Sequence, residues 1–194
     1  MKVCGLTGGV GMGKSTAAVT LSAHGVPVVD TDELARQLVQ PRQPALAEIQ
    51  NLFGKGIVAS DGQLRRDELA RIVFADAAAR RKLEAILHPR IRQGWLAQLE
   101  VWRKENYNLA VVVIPLLFET QAELHFDKII CAACSAAAQH ERLVTRGWGV
   151  EQIKHRIAAQ LPVEQKIARA HFVIWTEGLL EVQHRQVGQI LEKV

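Results

Sequence analysis

The chain has 194 residues, of which 48% are hydrophobic and 23% are charged, and its 24 Lys and Arg against 20 Asp and Glu give a formal net charge of +4. These values are typical of one globular domain and argue against a disordered, collagen-like or coiled-coil chain. The longest nearly continuous apolar run, residues 109–118, is too short for a membrane-spanning helix, which needs about 20 residues. We therefore expect no membrane partner.

The basic excess is modest and concentrated in residues 65–104, without the aromatic and basic cluster of a nucleic-acid module, so we expect no nucleic-acid partner. The N-terminus carries one basic residue, Lys2, and soon reaches glycines, unlike a secretory signal. The chain has an odd number of cysteines, three, and is long enough to be stable without disulfides. Both features agree with a cytoplasmic protein. We interpret the Cys131 and Cys134 pair as buried thiols at a strand end rather than as a metal or redox site.

In chain order, the first predicted elements are a strand over 2–7, a helix over 15–24 and a strand over 26–29. A strand, helix, strand connection implies a parallel pair. Residues 110–114 are nearly all β-branched, as in a strand buried on both faces, and 128–131 and 172–175 resemble it more weakly. The pattern predicts an α/β fold with a doubly wound, mainly parallel five-stranded sheet.

Residues 33–104 contain no convincing strand and are predicted to be a helical insertion. One helix face carries apolar residues three or four apart, namely Leu83, Leu87, Ile91, Trp95, Leu99 and Trp102. Pro89 interrupts this pattern, so we expect His88 just outside a helix N-terminus or at a bend. A second helical block covers 136–170, with breaks at Gly147 and Gly149, and 180–191 reads as a closing amphipathic helix.

The strongest motif is G-x-x-x-x-G-K-[ST], at Gly8-Gly9-Val10-Gly11-Met12-Gly13-Lys14-Ser15, between a predicted strand and a predicted helix. Such a loop turns successive N–H groups toward a phosphate, at the positive end of the helix dipole. We expect Lys14 to reach the β- and γ-phosphates of a nucleotide and Ser15 to be a Mg²⁺ ligand. The chain lacks D-x-x-G and N-K-x-D and is short for a helicase core, so a small kinase is favoured.

Two aspartates, Asp30 and Asp32, follow the second predicted strand. A carboxylate at a strand's carboxyl end suits a general base for an attacking hydroxyl, and an aspartate there also suits a helix N-cap. Asp32 is the candidate base, although spacing leaves open which aspartate has which role. Glu119, after the 110–114 strand, is a candidate neighbour of Mg²⁺ or its waters.

Other basic residues suit phosphate binding. His88-Pro89-Arg90-Ile91-Arg92 joins an imidazole to two guanidiniums, a plausible phosphate grip. Arg142 and Arg146 share a helix face with Gln139 and could clamp ATP, on a lid that hinges near Gly147 and Gly149. A solvated basic face is the alternative for both sets.

Together these residues resemble the dephospho-coenzyme A kinase family. The matching segments are L-T-G-G-V-G-M-G-K-S-T at 6–16, D-T-D at 30–32 with Arg36, D-G-Q-L-R-R at 61–66, H-P-R-I at 88–91, P-L-L-F-E at 115–119 and Q-x-x-R-x-x-x-R at 139–146. The chain departs from the family pattern at His171 and Thr176, where the family has an acid and an amide.

The resemblance implies transfer of the γ-phosphoryl of ATP, with Mg²⁺, to the ribose 3′-hydroxyl of dephospho-CoA. It implies a P-loop kinase core (about 1–32, 107–135 and 170–194), a helical acceptor-binding insertion (about 33–106) and a helical lid (about 136–169). The catalytic residues would be Asp32, Lys14 and Arg142, and the acceptor would contact Asp32, Arg36, His88 and Arg92. The residues expected to bind ATP are Gly8, Gly9, Val10, Gly11, Met12, Gly13, Lys14, Ser15, Thr16, Arg142 and Arg146.

Two other functions stay open on the sequence. One is a different small P-loop kinase, such as a nucleoside monophosphate kinase. The other is a regulatory protein that binds a nucleotide without catalysis. The sequence leaves the oligomeric state open.

Overall fold

A computed structural model describes all residues of the chain, Met1–Val194. Five strands form one sheet: β1 (Lys2–Thr7), β2 (Val28–Asp30), β3 (Leu109–Val113), β4 (Lys128–Ala133) and β5 (Phe172–Trp175). Nine α-helices surround or extend it: α1 (Lys14–Ala23), α2 (Thr31–Leu38), α3 (Pro44–Phe53), α4 (Arg66–Ala75), α5 (Ala77–Lys104), α6 (Ala136–Thr145), α7 (Val150–Ala158), α8 (Val163–Arg169) and α9 (Leu180–Leu191). None of them is long and apolar enough to cross a membrane.

The chain divides into two compact units. One comprises residues 1–29 and 101–194, and the other comprises residues 30–100. The first unit contains most of the sheet. The second contains α2, α3, α4 and most of α5, with a small core of its own formed by Val39, Ile49, Ile57 and Leu69.

The strand order is β2-β3-β1-β4-β5, and β1 pairs in parallel with both β3 and β4. The expectation that the first two strands are neighbours is therefore wrong, because β3 lies between them. β3 is an unbroken apolar run, LAVVV, and a central place buries both of its faces. Its register aligns Cys4 with Val111 and Leu6 with Val113.

Helices cover both faces of the sheet. α1 and α9 pack together, and their Leu21 and Val187 join Leu6, Val111 and Ile130 in the main core. α8 packs on β4 as well. Because side chains alternate along a strand, successive residues of β4 face opposite layers. This arrangement places the carboxyl end of β1, and the glycine-rich loop that follows it, at one edge of the buried core.

The insertion helix differs from its predicted form. α5 runs without interruption from Ala77 to Lys104, so His88 lies in the middle of the helix and not outside its N-terminus. Pro89 lacks the N–H that would donate to the carbonyl of Ala85 four positions earlier. The next carbonyl along the helix, that of Ile86, accepts from Arg90 Nη1 at 2.7 Å. Burial of Trp95 and Leu99 further along the helix supports its continuation.

Candidate active site

Residues 8–13, which we call the phosphate loop, connect β1 to α1. The backbone of this loop requires glycine at two places. Gly8 has φ 146° and a Cβ there would collide with the carbonyl oxygen of Ala132. Gly13, the N-cap of α1, has φ 83°, and its Cβ would lie 2.5 Å from Thr176 Oγ1. An L side chain rarely adopts these φ values, so the loop is built for close approach of the backbone.

The N-terminus of α1 is left open. Gly13 offers no side-chain cap to the first turn of the helix. The orphan N–H groups of that turn therefore remain available to an anion, where the helix dipole favours negative charge. Ser15 is exposed and its hydroxyl makes no hydrogen bond within the chain. An uncommitted hydroxyl oxygen at this place fits a Mg²⁺ ligand, because Mg²⁺ prefers oxygen donors.

Lys14 lies over the loop. Its Nζ donates 2.8 Å to the carbonyl oxygen of Gly8 and 2.9 Å to that of Gly9. Two carbonyl acceptors hold the ammonium within the curve of the loop, so its charge is already positioned where a phosphate would sit. Thr16, in the next position but one, is exposed.

Arg142, on α6, is bonded to the same loop. Its Nη1 lies 3.4 Å from the carbonyl oxygen of Gly11 and 2.9 Å from Thr176 Oγ1, and its Nη2 lies 2.5 Å from the carbonyl oxygen of Thr176. The Thr176 hydroxyl in turn donates 2.9 Å to the carbonyl of Met12. The structure thus brings Arg142 to the phosphate loop. Arg146, the C-cap of α6, is exposed; its backbone N–H donates to the carbonyl oxygen of Arg142 at 3.3 Å, and its guanidinium makes no hydrogen bond or ion pair.

The cysteine pair lies beneath the loop. Burial raises the pKa of the Cys131 thiol to about 11 and also raises the pKa of the Cys134 thiol. Cys134 Sγ lies 3.5 Å from Met12 Sδ. Both thiols are therefore protonated near neutral pH, whereas the thiolate is the metal ligand and the nucleophile.

The candidate acceptor residues lie in the unit formed by residues 30–100. Asp30 is the N-cap of α2, because its Oδ1 accepts 2.8 Å from the backbone N–H of Asp32. Asp32 and Arg36 are four apart on α2 and share a face, and Arg36 pairs with Glu33 at 3.0 Å. On α5, His88 and Arg92 are also four apart, and both are exposed.

α2 packs against α5, where a Cβ on Gly94 would lie 3.4 Å from Leu34 Cδ1. Beside this contact is a cavity of about 230 Å³, lined by Leu34, Gln37, Leu38, Gln43, Arg90 and Gly94. Arg90 is held there by an ion pair with Glu48. In the H-P-R-I-R segment, the guanidinium of Arg90 is therefore paired with a carboxylate, whereas that of Arg92 is exposed to solvent.

Several residues bonded to the loop or its supports were not predicted as site residues. Gln160 contacts Val10, Thr176 contacts Arg142, and Lys166 pairs with Glu119 at 2.8 Å. Glu119 is thereby engaged by an ammonium instead of facing a free site. These partners are distant in sequence, so no local spacing indicates them. For Thr176, the departure from the family pattern was the one available clue.

A parallel sheet whose central strand leads into a glycine-rich loop, with a lysine held in that loop and an arginine bonded to it, defines a kinase of the P-loop class. Residues 2–181 match the model of the family described as dephospho-CoA kinase. The chain belongs to the dephospho-CoA kinase family.

Individual relatives are similar to this chain over nearly its full length. A dephospho-CoA kinase from Anaeromyxobacter dehalogenans is 43% identical over 192 residues, which cover 98% of this chain and 91% of the relative. A crystal structure from Thermus thermophilus superimposes with a TM-score of 0.86 at 34% identity, covering 100% of this chain and 97% of that one. A dephospho-CoA kinase structure from Campylobacter jejuni gives 0.72 at 25% identity, with the same coverage.

These similarities confirm the predicted family, the predicted α/β fold and the assignment as a kinase. Nothing in them favours a nucleoside monophosphate kinase or a regulatory protein. The roles assigned to single residues and to the insertion and lid segments stay predictions.

Proposed function

We propose that this chain transfers the γ-phosphoryl group of ATP to the ribose 3′-hydroxyl of dephospho-CoA, giving CoA and ADP. The observation that carries the proposal is the phosphate loop, preformed with Lys14 held over Gly8 and Gly9, in a chain that matches the dephospho-CoA kinase family over residues 2–181.

The residues of the loop supply the nucleotide side of the reaction. Backbone N–H groups of the loop and of the first turn of α1 bind the phosphates, and Lys14 and Arg142 balance charge on the transferred group. Ser15 would hold Mg²⁺, which when bound neutralises charge on the β- and γ-phosphate oxygens. Arg146 is assigned to ATP only through its place on the same face of α6 as Arg142.

Asp32 is assigned as the general base. Its carboxylate accepts the proton of the 3′-hydroxyl as that oxygen bonds to the γ-phosphorus, while the bond from that phosphorus to the β–γ bridging oxygen breaks and ADP leaves with the electron pair. Arg36, His88 and Arg92 are assigned to the acceptor, whose phosphate groups suit cationic side chains. Asp30 Oδ1 accepts the backbone N–H of Asp32 and so occupies the N-cap of α2, which supports assigning the cap to Asp30 and the base to Asp32.

The test measures ADP formation by the purified chain with ATP and Mg²⁺. We expect turnover only when dephospho-CoA is added, and about 10²- to 10³-fold lower kcat in Lys14→Ala, because that ammonium stabilises the transferring group. Lys82→Ala, an exposed lysine on α5, is the matched control and should retain the wild-type rate. Turnover with nucleoside monophosphates in place of dephospho-CoA would reject the acceptor, and full activity of Lys14→Ala would reject the site.

A further inference from the structure

The peptide groups of Val10, at the tip of the phosphate loop, are held from two sides by amide side chains. Gln139, on α6, donates from Nε2 to the carbonyl oxygen of Val10 at 2.7 Å. Gln160, between α7 and α8, accepts the backbone N–H of Val10 on Oε1 at 2.8 Å. Gln139 is only 6% exposed. Both hydrogen-bonding groups of one loop residue are therefore satisfied by segments about 130 and 150 positions away.

Gln160 is itself fixed through its neighbour. The backbone N–H of Leu161 donates 2.8 Å to Glu119 Oε1. The same oxygen lies 2.8 Å from the ammonium of Lys166. Because adjacent residues share a peptide bond, holding the N–H of Leu161 also restricts where the Gln160 backbone lies.

Lys166 is fully buried, and its position is determined by two acceptors. Besides Glu119, its Nζ donates 2.8 Å to the carbonyl oxygen of Pro115, which also accepts from Thr7 Oγ1 at 3.2 Å. A buried ammonium is costly unless it is paired and hydrogen-bonded, so this geometry resists distortion. Thr7 is the last residue of β1, and the phosphate loop begins directly after it.

We propose that Gln160 is a positioning residue for phosphoryl transfer, which sets the orientation of the Val10 peptide groups, and that the buried Lys166–Glu119 pair sets the position of Gln160. The inference rests on the proposed function for its kinetic consequence. Peptide orientation at Val10 determines where the adjoining N–H groups of the loop point, and preorganised donors bind phosphate without reorganisation.

The direct test compares Gln160→Ala with Gln152→Ala, an exposed glutamine on α7, as the matched control. In the nucleotide-free, ¹⁵N-labelled chain we expect the Val10 amide resonance to shift in Gln160→Ala and to stay in place in Gln152→Ala. The KM for ATP should rise about threefold to tenfold in Gln160→Ala, the effect of losing one hydrogen bond. The KM for dephospho-CoA should change by less than about twofold.

A second comparison tests the ion pair. Glu119→Gln keeps the size and the acceptor oxygen but removes the charge that holds Lys166, so it should fold and still shift the Val10 amide. If the pair acts through Gln160, the double variant Glu119→Gln with Gln160→Ala has the same KM for ATP as Gln160→Ala alone. If the increase in KM for ATP in the double variant equals the product of the two single increases, the ion pair acts independently of Gln160, and that half of the proposal is overturned.

An unchanged Val10 amide in Gln160→Ala would overturn the positioning role itself. The resonance is measured without substrates, so it tests this role even if the chain proves inactive toward dephospho-CoA. Wild-type inactivity would instead count against the proposed function. The amide resonance therefore tests the positioning role, and wild-type turnover tests the proposed function.

Discussion

Thr176 shows how much a single short side chain does beside the phosphate loop. Its hydroxyl accepts from Arg142 and donates to the carbonyl of Met12, which uses both its donor and one of its acceptor sites. The backbone at Gly13 passes so near that a Cβ there would lie 2.5 Å from this hydroxyl. A small side chain therefore fits where the family pattern has an amide, and it keeps Arg142 attached to the loop.

The proposed base is tested by Asp32→Asn. We expect ATP affinity to be nearly unchanged and kcat to fall by about 10² or more, because the amide no longer accepts the proton of the attacking hydroxyl. Asp30→Asn is the matched control, since asparagine caps a helix about as well as aspartate. Steady-state kinetics with both substrates measure the effect. A large loss in Asp30→Asn with full activity in Asp32→Asn would exchange the two roles.

Among the helices, α5 shows how packing outweighs a local disruption. It has 28 residues and includes Pro89, which takes away one backbone hydrogen bond and crowds the preceding turn. Trp95 and Leu99 are 3% and 2% exposed. Burial of two such side chains contributes more to the stability of the helix than one backbone hydrogen bond does. The apolar face predicted from the sequence is continuous through the proline.

Replacing this proline should strengthen the helix. Pro89 is exposed, and Pro89→Ala restores the missing N–H in a helical backbone, so we expect the free energy of unfolding to rise by about 1–3 kcal/mol. Thermal unfolding should show a Tm higher by about 2–4 °C for each kcal/mol. Gln93→Ala, at an exposed position of the same helix, should shift the Tm much less. A lower Tm in Pro89→Ala would mean that packing of α5 requires the proline's local geometry.

The stability of the entire chain depends on a sheet whose central strands exclude water. Cys4 on β1 and Cys131 on β4 are both fully buried. Burial raises the pKa of each thiol from 9.0 to about 11, because a thiolate in an apolar core loses its hydration. In the unfolded chain the thiols ionise first, so their contribution to stability is complete below pH 9 and is lost as the pH rises toward 11.

The resulting prediction concerns alkaline unfolding. Between about pH 9 and 11 the wild-type free energy of unfolding should fall more steeply than that of Cys131→Ala, by on the order of 2 kcal/mol over the range. Denaturant unfolding at a series of pH values measures the slope, which is independent of the cavity that the substitution leaves. Below pH 8 the two slopes should coincide. Equal slopes above pH 9 would show that the thiol ionises in the folded core as readily as in water.

The amino-acid sequence was sufficient for the features that depend on neighbours along the chain. The phosphate loop, the α/β class, the apolar face of α5 and the closing helix each follow from the local spacing of glycines or apolar residues, and the structure has them where they were predicted. The general base and the acceptor residues follow from residue chemistry and from a motif resemblance, and they await the kinetic tests.

Packing in three dimensions fixed the rest. The place of β3 between β1 and β2, the attachment of Arg142 through Thr176, and the hold of Gln160 and Gln139 on Val10 join segments far apart in sequence. Periodicity reports which side of an element is apolar, but not which other element covers it. Strand neighbours and hydrogen-bond partners are determined only in the folded chain, because there the apolar faces must be covered and the buried ammonium of Lys166 must be paired at the same time.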